Sequence, residues 1–144
     1  MTTDTPAPSA GRPLFRPLAR LGAGRTVLFL ILGGVFWYLA ALYVQQLGPV
    51  LFDRGALHLA AFGVTALSGP VFVWIAATVA RQPLTDMLLP VAVMLVSATA
   101  LDAVAMTYAP SVYGGEGPVL ALGAAQIIWG ITSALVTALL LQRG

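Results

Sequence analysis

The stretch TVLFLILGGVFWYLAALYVQQ, residues 26–46, contains no charged side chain. Three further apolar stretches follow it, at about residues 58–80, 84–107 and 118–141. A helix that crosses the ~30 Å hydrocarbon core of a bilayer needs roughly 20 apolar residues, and each stretch has about that length. We therefore predict an all-α fold, an integral membrane four-helix up-down bundle, in which residues 25–144 form a single transmembrane domain.

The composition of the whole chain favours the same fold class. Of the 144 residues, 59% are hydrophobic and 8% are charged, and the mean hydropathy is +0.92. About a quarter of the residues in an average soluble domain are charged, so this chain has too few polar side chains to cover a water-facing surface. Cys is absent, which excludes disulfides and thiolate nucleophiles. Seven basic residues are too few for nucleic-acid binding.

The first 24 residues differ from the rest of the chain. They carry four Pro and three Arg, and we expect the first dozen to be disordered because they have little apolar surface to bury. The second half mixes Leu18 and Leu21 with Arg16 and Arg20. This pattern is compatible with a short segment lying on the lipid headgroups and equally with a solvated linker.

The positions of the Arg residues predict the orientation. Six of the seven fall in the N-terminal flank, the second loop or the C-terminus, and Arg54 is the one in the first or third loop. Because cytoplasmic loops are enriched in basic residues, we expect both termini to be cytoplasmic. The Lys-free composition, rich in Ala, Leu, Val and Gly, is typical of a GC-rich bacterial genome, so we expect the bacterial cytoplasmic (inner) membrane.

Asp102 is the most informative polar residue because it lies inside the third apolar stretch. A carboxylate costs about 2.5–3.5 kcal/mol at the centre of a membrane helix. Arg54, His58 and Gln126 are expected at the same level of the bundle, and together with Asp102 they form a candidate functional polar cluster. Asp102 could pair with Arg54 or His58 and fix the helix register, titrate or bind a cation or ligand, or reach the lipid headgroups.

No catalytic or metal-ligating arrangement is apparent in the sequence. His58 is the only His, so no His and carboxylate triad can form a typical metal site. A single axial ligand to a haem-like macrocycle is an alternative role for His58. No Ser-His-Asp arrangement has supporting spacing. We therefore predict a protein that is not an enzyme and that has no cofactor and no metal.

The fourth stretch predicts a packing surface made of small residues. Gln126, Gly130, Ala134 and Ala138 recur every four residues and therefore share one helix face. Small residues let helices approach closely in lipid, where apolar burial gives no driving force. A similar stripe in the second stretch comprises His58, Phe62, Thr65, Gly69, Phe72 and Ala76.

Three short motifs carry a resemblance to a known group of proteins. They are LDA at residues 101–103, YAPSVY at residues 108–113 and WG at residues 129–130. Residues 25–141 resemble an uncharacterised family of small bacterial four-helix inner-membrane proteins, known as a domain of unknown function. The resemblance implies the four-helix fold and a Leu-Asp-Ala feature in the third helix, and it implies no activity.

The apparent lack of catalytic groups, the small-residue faces and the small extramembrane mass predict a non-catalytic membrane protein. We expect an accessory or assembly subunit of a larger membrane complex, or a homo-oligomer. Its partners would be the lipid bilayer and other membrane subunits or itself, and not nucleic acid. One alternative is a small proton- or cation-coupled transporter or channel that uses Asp102. Another is the binding of a lipid, quinone or pigment in a groove lined by His58, Trp129 and aromatic side chains.

Overall fold

The computed structural model describes residues 16–52 and 55–142. The statements below concern those residues. The predicted disorder of the first dozen residues and the candidate residue Arg54 lie outside them.

Five α-helices make up nearly all of the described chain, and no β-strand occurs in it. Four of the helices are long and apolar enough to cross a membrane, which makes this a multi-pass membrane protein. The predicted all-α four-helix bundle is therefore confirmed. The helices are α1 (Arg16–Leu21), α2 (Ala23–Leu51), α3 (Ala56–Ala80), α4 (Leu88–Tyr108) and α5 (Pro118–Leu141), with short 3-10 turns at Leu84–Asp86 and Pro110–Tyr113.

The largest differences from the sequence-based helix boundaries are at the start of α4 and at the end of α2. The third spanning helix begins at Leu88 and not at residue 84, because Leu84–Asp86 form a separate 3-10 turn. Pro90 explains this start: a Pro is tolerated in the first turn of a helix, where its missing N–H has no partner to lose. Helix α2 runs to Leu51, beyond the predicted end at residue 46, and its 29 residues span about 43 Å. Such a length exceeds the hydrocarbon core and calls for tilt or for extension beyond the membrane.

The short helix α1 joins the bundle through its last residue. Leu21 is buried in a core cluster that also contains Phe29 of α2 and Met87, the residue before α4. The chain from Arg16 to Leu21 is therefore helical and packed at its end, and its placement on the lipid headgroups stays a prediction.

The closest packing occurs within two helix pairs, α2 with α4 and α3 with α5. In the first pair, Gly33 lies against the backbone of Met94, so an added Cβ atom would overlap the Met94 carbonyl and Ser97 Oγ. Ser97 Oγ donates a hydrogen bond of 3.0 Å to the Leu30 carbonyl of α2. A glycine thus allows the approach, and a serine adds a polar contact across the same seam.

The second pair repeats this arrangement. An added Cβ atom at Gly69 would overlap the backbone between Ser133 and Ala134. Ser133 Oγ donates a hydrogen bond to the Ala66 carbonyl of α3. Ala134 and Ala138 are buried at the same face. The predicted packing role of the small-residue face of α5 is therefore confirmed.

The two seams are related by a repeat in the sequence. Gly69, Ser133 and Ala66 follow Gly33, Ser97 and Leu30 by 36 positions each. Residues 33–42 (GGVFWYLAAL) match residues 69–78 (GPVFVWIAAT) at five of ten positions. The equivalent residues Phe36 and Phe72 stack with their ring centroids 4.7 Å apart. The bundle is thus built from two similar helix pairs that touch through equivalent aromatic side chains.

Candidate functional site

The chain reverses direction directly after α4. Ala109 ends the helix, the 3-10 turn Pro110–Tyr113 follows, and Gly114 and Gly115 adopt φ values of 91° and 110°. Positive φ is a conformation that glycine adopts without steric cost, so the two glycines permit the sharp reversal. The turn brings Tyr113 back onto the bundle, where its side chain is completely buried.

Tyr113 links Asp102 to Trp37. Its hydroxyl donates a hydrogen bond to Asp102 Oδ1 and accepts one of 2.8 Å from Trp37 Nε1. A phenol can donate one hydrogen bond and accept another, so both functions of the Tyr113 hydroxyl are used. The Asp102 side chain is 8% exposed. The three residues therefore connect α2, the turn and α4 through one buried polar chain.

The hydroxyl of Tyr113 remains protonated over the physiological range. Burial raises the pKa of Tyr113 well above its usual value of 10.0, and the hydrogen bond to Asp102 raises this pKa further. A neutral phenol is the form that can donate to a carboxylate oxygen. The direction of the Tyr113–Asp102 hydrogen bond is thus fixed by the surroundings of Tyr113.

The predicted pair of Asp102 with His58 is not formed. The His58 ring meets Phe52 and Phe62 edge-on, at centroid distances of 5.7 Å and 5.0 Å. No hydrogen bond joins His58 to Asp102, and His58 Nδ1 is buried without a hydrogen-bond partner among the described residues. The aromatic neighbours hold His58 away from the carboxylate. The other expected partner, Arg54, lies outside the part of the chain that the structure describes.

His58 and Trp129, which were predicted to line one groove, both contact the Phe62 ring, at centroid distances of 5.0 Å and 6.2 Å. His58 borders a shallow depression near the start of α3, to which Trp129 does not contribute. Trp129 Nε1 donates a hydrogen bond of 3.0 Å to the Phe62 carbonyl and ties α5 to α3. A second, more enclosed space lies in the middle of the bundle.

All four spanning helices line a central cavity of about 280 Å³. Its wall is mostly apolar and includes Phe72, Val91 and Met94. The few side chains with polar atoms in this wall are Trp37, Tyr43, Thr65, Ser68, Asp102 and Gln126. Two members of the predicted cluster, Asp102 and Gln126, therefore face the same cavity.

Gln126 is the unusual member of this wall. Its side chain is 1% exposed, and neither Oε1 nor Nε2 has a hydrogen-bond partner among the described residues. Leaving a buried polar group unpaired costs about 1–3 kcal/mol. The second carboxylate oxygen of Asp102 is also without a hydrogen bond in the described part of the chain, because Tyr113 engages only Oδ1. The residues that line the cavity thus contain unused hydrogen-bonding atoms.

The cavity reaches the outer surface of the bundle between α2 and α3. Leu39 and Val64 line it, yet they are 48% and 65% exposed. The stacked rings of Phe36 and Phe72 lie between α2 and α3, one turn away from Leu39 along α2. The surface at this opening is apolar, as expected of one that faces the hydrocarbon of a membrane.

A metal centre is not apparent at this site. Within residues 16–52 and 55–142, no group of three or more Asp, Glu or His side chains is placed to hold a metal ion.

Tyr113 and Trp37 are the site residues that sequence reasoning missed. Both lie within stretches that were singled out for other reasons, the YAPSVY motif and the first spanning helix. Pro110 followed by Gly114-Gly115 was the available signal, since this combination favours a tight reversal after a helix. Such a reversal returns Tyr113 toward the helix that carries Asp102.

Comparisons with protein-family models, with curated proteins and with solved structures find no match to this chain. The resemblance to the small four-helix inner-membrane family therefore stays a prediction.

Proposed function

We propose that this chain is a non-catalytic membrane protein that binds the polar end of an amphipathic small molecule in its central cavity. The apolar remainder of the ligand would extend into lipid between α2 and α3. The observation that carries this proposal is the buried side chain of Gln126, which lines an apolar cavity and whose amide has no hydrogen-bond partner within residues 16–52 and 55–142.

The energetic argument begins with the cost of the empty site. Two unpaired amide atoms destabilise the bundle, and a ligand that pairs with them recovers part of that free energy. The apolar wall favours an apolar ligand body, since apolar cavities stay dry and bind apolar molecules. A small number of polar groups in an otherwise hydrophobic pocket is typical of ligand sites.

The size of the cavity limits what it can hold. An apolar cavity of about 150 Å³ accommodates benzene, so 280 Å³ suits a substituted ring or a head group with its first few carbons. A longer chain must leave through the opening at Leu39 and Val64. Both lipids and quinones have this build, a compact polar end on a long apolar chain.

The other sequence-based predictions are compatible with ligand binding. An accessory subunit, a homo-oligomer or a transporter that uses Asp102 could each carry a bound amphipathic molecule. These roles stay predictions, as does the location in a bacterial inner membrane with both termini in the cytoplasm.

Fluorine NMR of protein labelled with fluorotryptophan tests the proposal. Trp37 lines the cavity, whereas Trp74 is 59% exposed and does not, so one sample contains both a reporter and an internal control. Titration with decanol in detergent should give a saturable shift of the Trp37 resonance. The Trp74 resonance should change only in proportion to the total decanol.

A matched pair of variants locates the binding. Ala98 is buried and lines the cavity, so Ala98→Leu should fill it and abolish the saturable shift. Ala100 is exposed on the same helix and does not line the cavity, so Ala100→Leu should bind like the wild type. Equal binding by both variants, or no saturable shift in the wild type with any amphipathic probe, would refute the proposal.

A further inference from the structure

We infer that the ligand of the central cavity carries a neutral hydroxyl head group, recognised jointly by the Gln126 amide and the unpaired oxygen of Asp102. This inference rests on the proposed function and specifies its ligand chemistry.

The unused atoms of Gln126 require both kinds of hydrogen bond. Its Nε2 donates and its Oε1 accepts, and both are buried and unpaired. A ketone, ether or ester can accept from Nε2 but offers nothing to Oε1. An ammonium can donate to Oε1 but offers nothing to Nε2. A hydroxyl group does both, since it has one donor and two acceptor positions.

Asp102 adds a requirement for a donor. Tyr113 donates to Oδ1, and Oδ2 has no hydrogen bond within the described residues. An ionised carboxylate only accepts hydrogen bonds, so the ligand must supply the proton of the contact. A hydroxyl that donates to Asp102 Oδ2 can still accept from Gln126 Nε2. A second hydroxyl on the same head would then pair with Gln126 Oε1.

The Tyr113–Trp37 contact fixes the geometry of the carboxylate before a ligand arrives. Tyr113 is fully buried, and its hydroxyl is held in turn by Trp37 Nε1. A carboxylate that is oriented in the empty protein loses little conformational freedom on binding. The carboxylate of Asp102 is thus held in a fixed orientation in the wall of the cavity.

The charge of the cavity wall argues against anionic heads. Among the described residues that line the cavity, Asp102 is the one ionisable acid, and no Arg, Lys or His is present. A phosphate or carboxylate head would find no cationic side chain in this wall to pair with in a site of low dielectric, which is unfavourable. Fatty acids and phospholipid phosphates are therefore poor occupants. Alcohols, glycerol-type diols and hydroquinones share the favoured chemistry.

A series of probes with the same ten-carbon chain tests this inference with the Trp37 fluorine signal. The probes are decanol, decanediol with two adjacent hydroxyls, decyl methyl ether, decylamine and decane. Because one hydrogen bond to a charged group is worth roughly a tenfold change in affinity, decanol should bind about tenfold more tightly than the ether or the alkane. The diol should bind at least as tightly as decanol. Hexylresorcinol in place of the diol distinguishes ring-borne hydroxyls from aliphatic ones.

Substitution of Gln126 gives the matched control. Gln126→Leu keeps the size of the side chain and removes both amide atoms, so it should erase most of the preference for decanol over decane. Its affinity for decane should stay within about twofold of the wild type, because the apolar wall is unchanged. Asp102→Asn should lower the affinity for decanol and leave that for decane unchanged.

The outcomes distinguish the inference about the hydroxyl head group from the proposal that the cavity binds a ligand. Equal affinities for all five probes, or the tightest binding by decylamine, would overturn the hydroxyl inference while cavity binding stands. A preference for decanol that persists in Gln126→Leu would overturn it as well. Absence of a saturable Trp37 shift with every probe would overturn the proposed function itself.

Discussion

The Tyr113 hydroxyl donates a hydrogen bond to Asp102 Oδ1 and thereby joins the turn after α4 to the helix that precedes it. Trp37 extends this contact to α2. The carboxylate inside a spanning helix is therefore held by one neutral donor, the Tyr113 hydroxyl, which Trp37 holds in turn. Asp102 and Gln126 both line the central cavity.

Loss of the Tyr113 hydroxyl should destabilise the bundle. In Tyr113→Phe, Asp102 loses its donor and Trp37 loses its acceptor, and both remain buried. We expect a decrease of about 1–3 kcal/mol in the free energy of unfolding, measured by denaturant titration in mixed micelles. Tyr108→Phe is the control, because Tyr108 belongs to the same motif but is exposed. Equal stability of the two variants would contradict a structural role for the contact.

The raised pKa of Tyr113 predicts a pH dependence at the alkaline end. The folded protein keeps the Tyr113 proton above the pH at which the unfolded chain loses it. The stability from this group is therefore fully present below about pH 10, and it falls as the pH rises further. Phenolate absorbance of the folded wild type and of Tyr113→Phe should rise by the same amplitude up to about pH 11. A larger amplitude in the wild type would show that Tyr113 titrates normally.

The two glycine seams should not tolerate a side chain. Gly33→Ala and Gly69→Ala place a Cβ atom against backbone atoms of the neighbouring helix, so the helices must separate. We expect each change to cost about 1–3 kcal/mol of unfolding free energy. Gly63→Ala is the control, since a Cβ there meets no atom within 4 Å. This variant should be as stable as the wild type, and a loss equal to that of Gly69→Ala would contradict close packing at the seams.

Gln126→Leu should stabilise the ligand-free protein. The substitution replaces two unpaired polar atoms by an apolar group of similar volume in an apolar wall, so we expect a gain of about 1 kcal/mol and a higher Tm. Gln45→Leu should have the opposite effect, because Gln45 Nε2 donates to the Ser111 carbonyl and holds the turn. A lower Tm for Gln126→Leu would contradict the view that its amide is unpaired.

Much of the architecture could be predicted because it depends on local composition. Four apolar stretches of sufficient length predicted four helices, and the spacing of Gly130, Ala134 and Ala138 predicted the packed face of α5. The start of α4 was wrong by four residues because the apolar pattern continues through the turn at Leu84–Asp86. The repeat that relates Gly33 to Gly69 is present in the sequence, and a comparison of the chain with itself would have found it.

The candidate site depended more on the tertiary structure. Asp102 and Gln126 were selected from the sequence because polar groups are costly within spanning helices. The expected contact of Asp102 with His58 was not formed, since similar depth in the bundle does not determine which faces meet. His58 instead lies between Phe52 and Phe62.

The sequence by itself determined the fold class. Four apolar stretches of membrane-spanning length and a charged fraction of 8% are typical of a helical membrane bundle. It also identified Asp102 as a polar residue inside a spanning helix, and it left open whether Asp102 pairs, binds a ligand or reaches the lipid headgroups. Only the tertiary structure decided that the partner is Tyr113, because the contact depends on the chain reversal at Gly114 and Gly115. The tertiary structure alone also placed the unpaired amide of Gln126 in a cavity, because a cavity arises from the way four helices fit together.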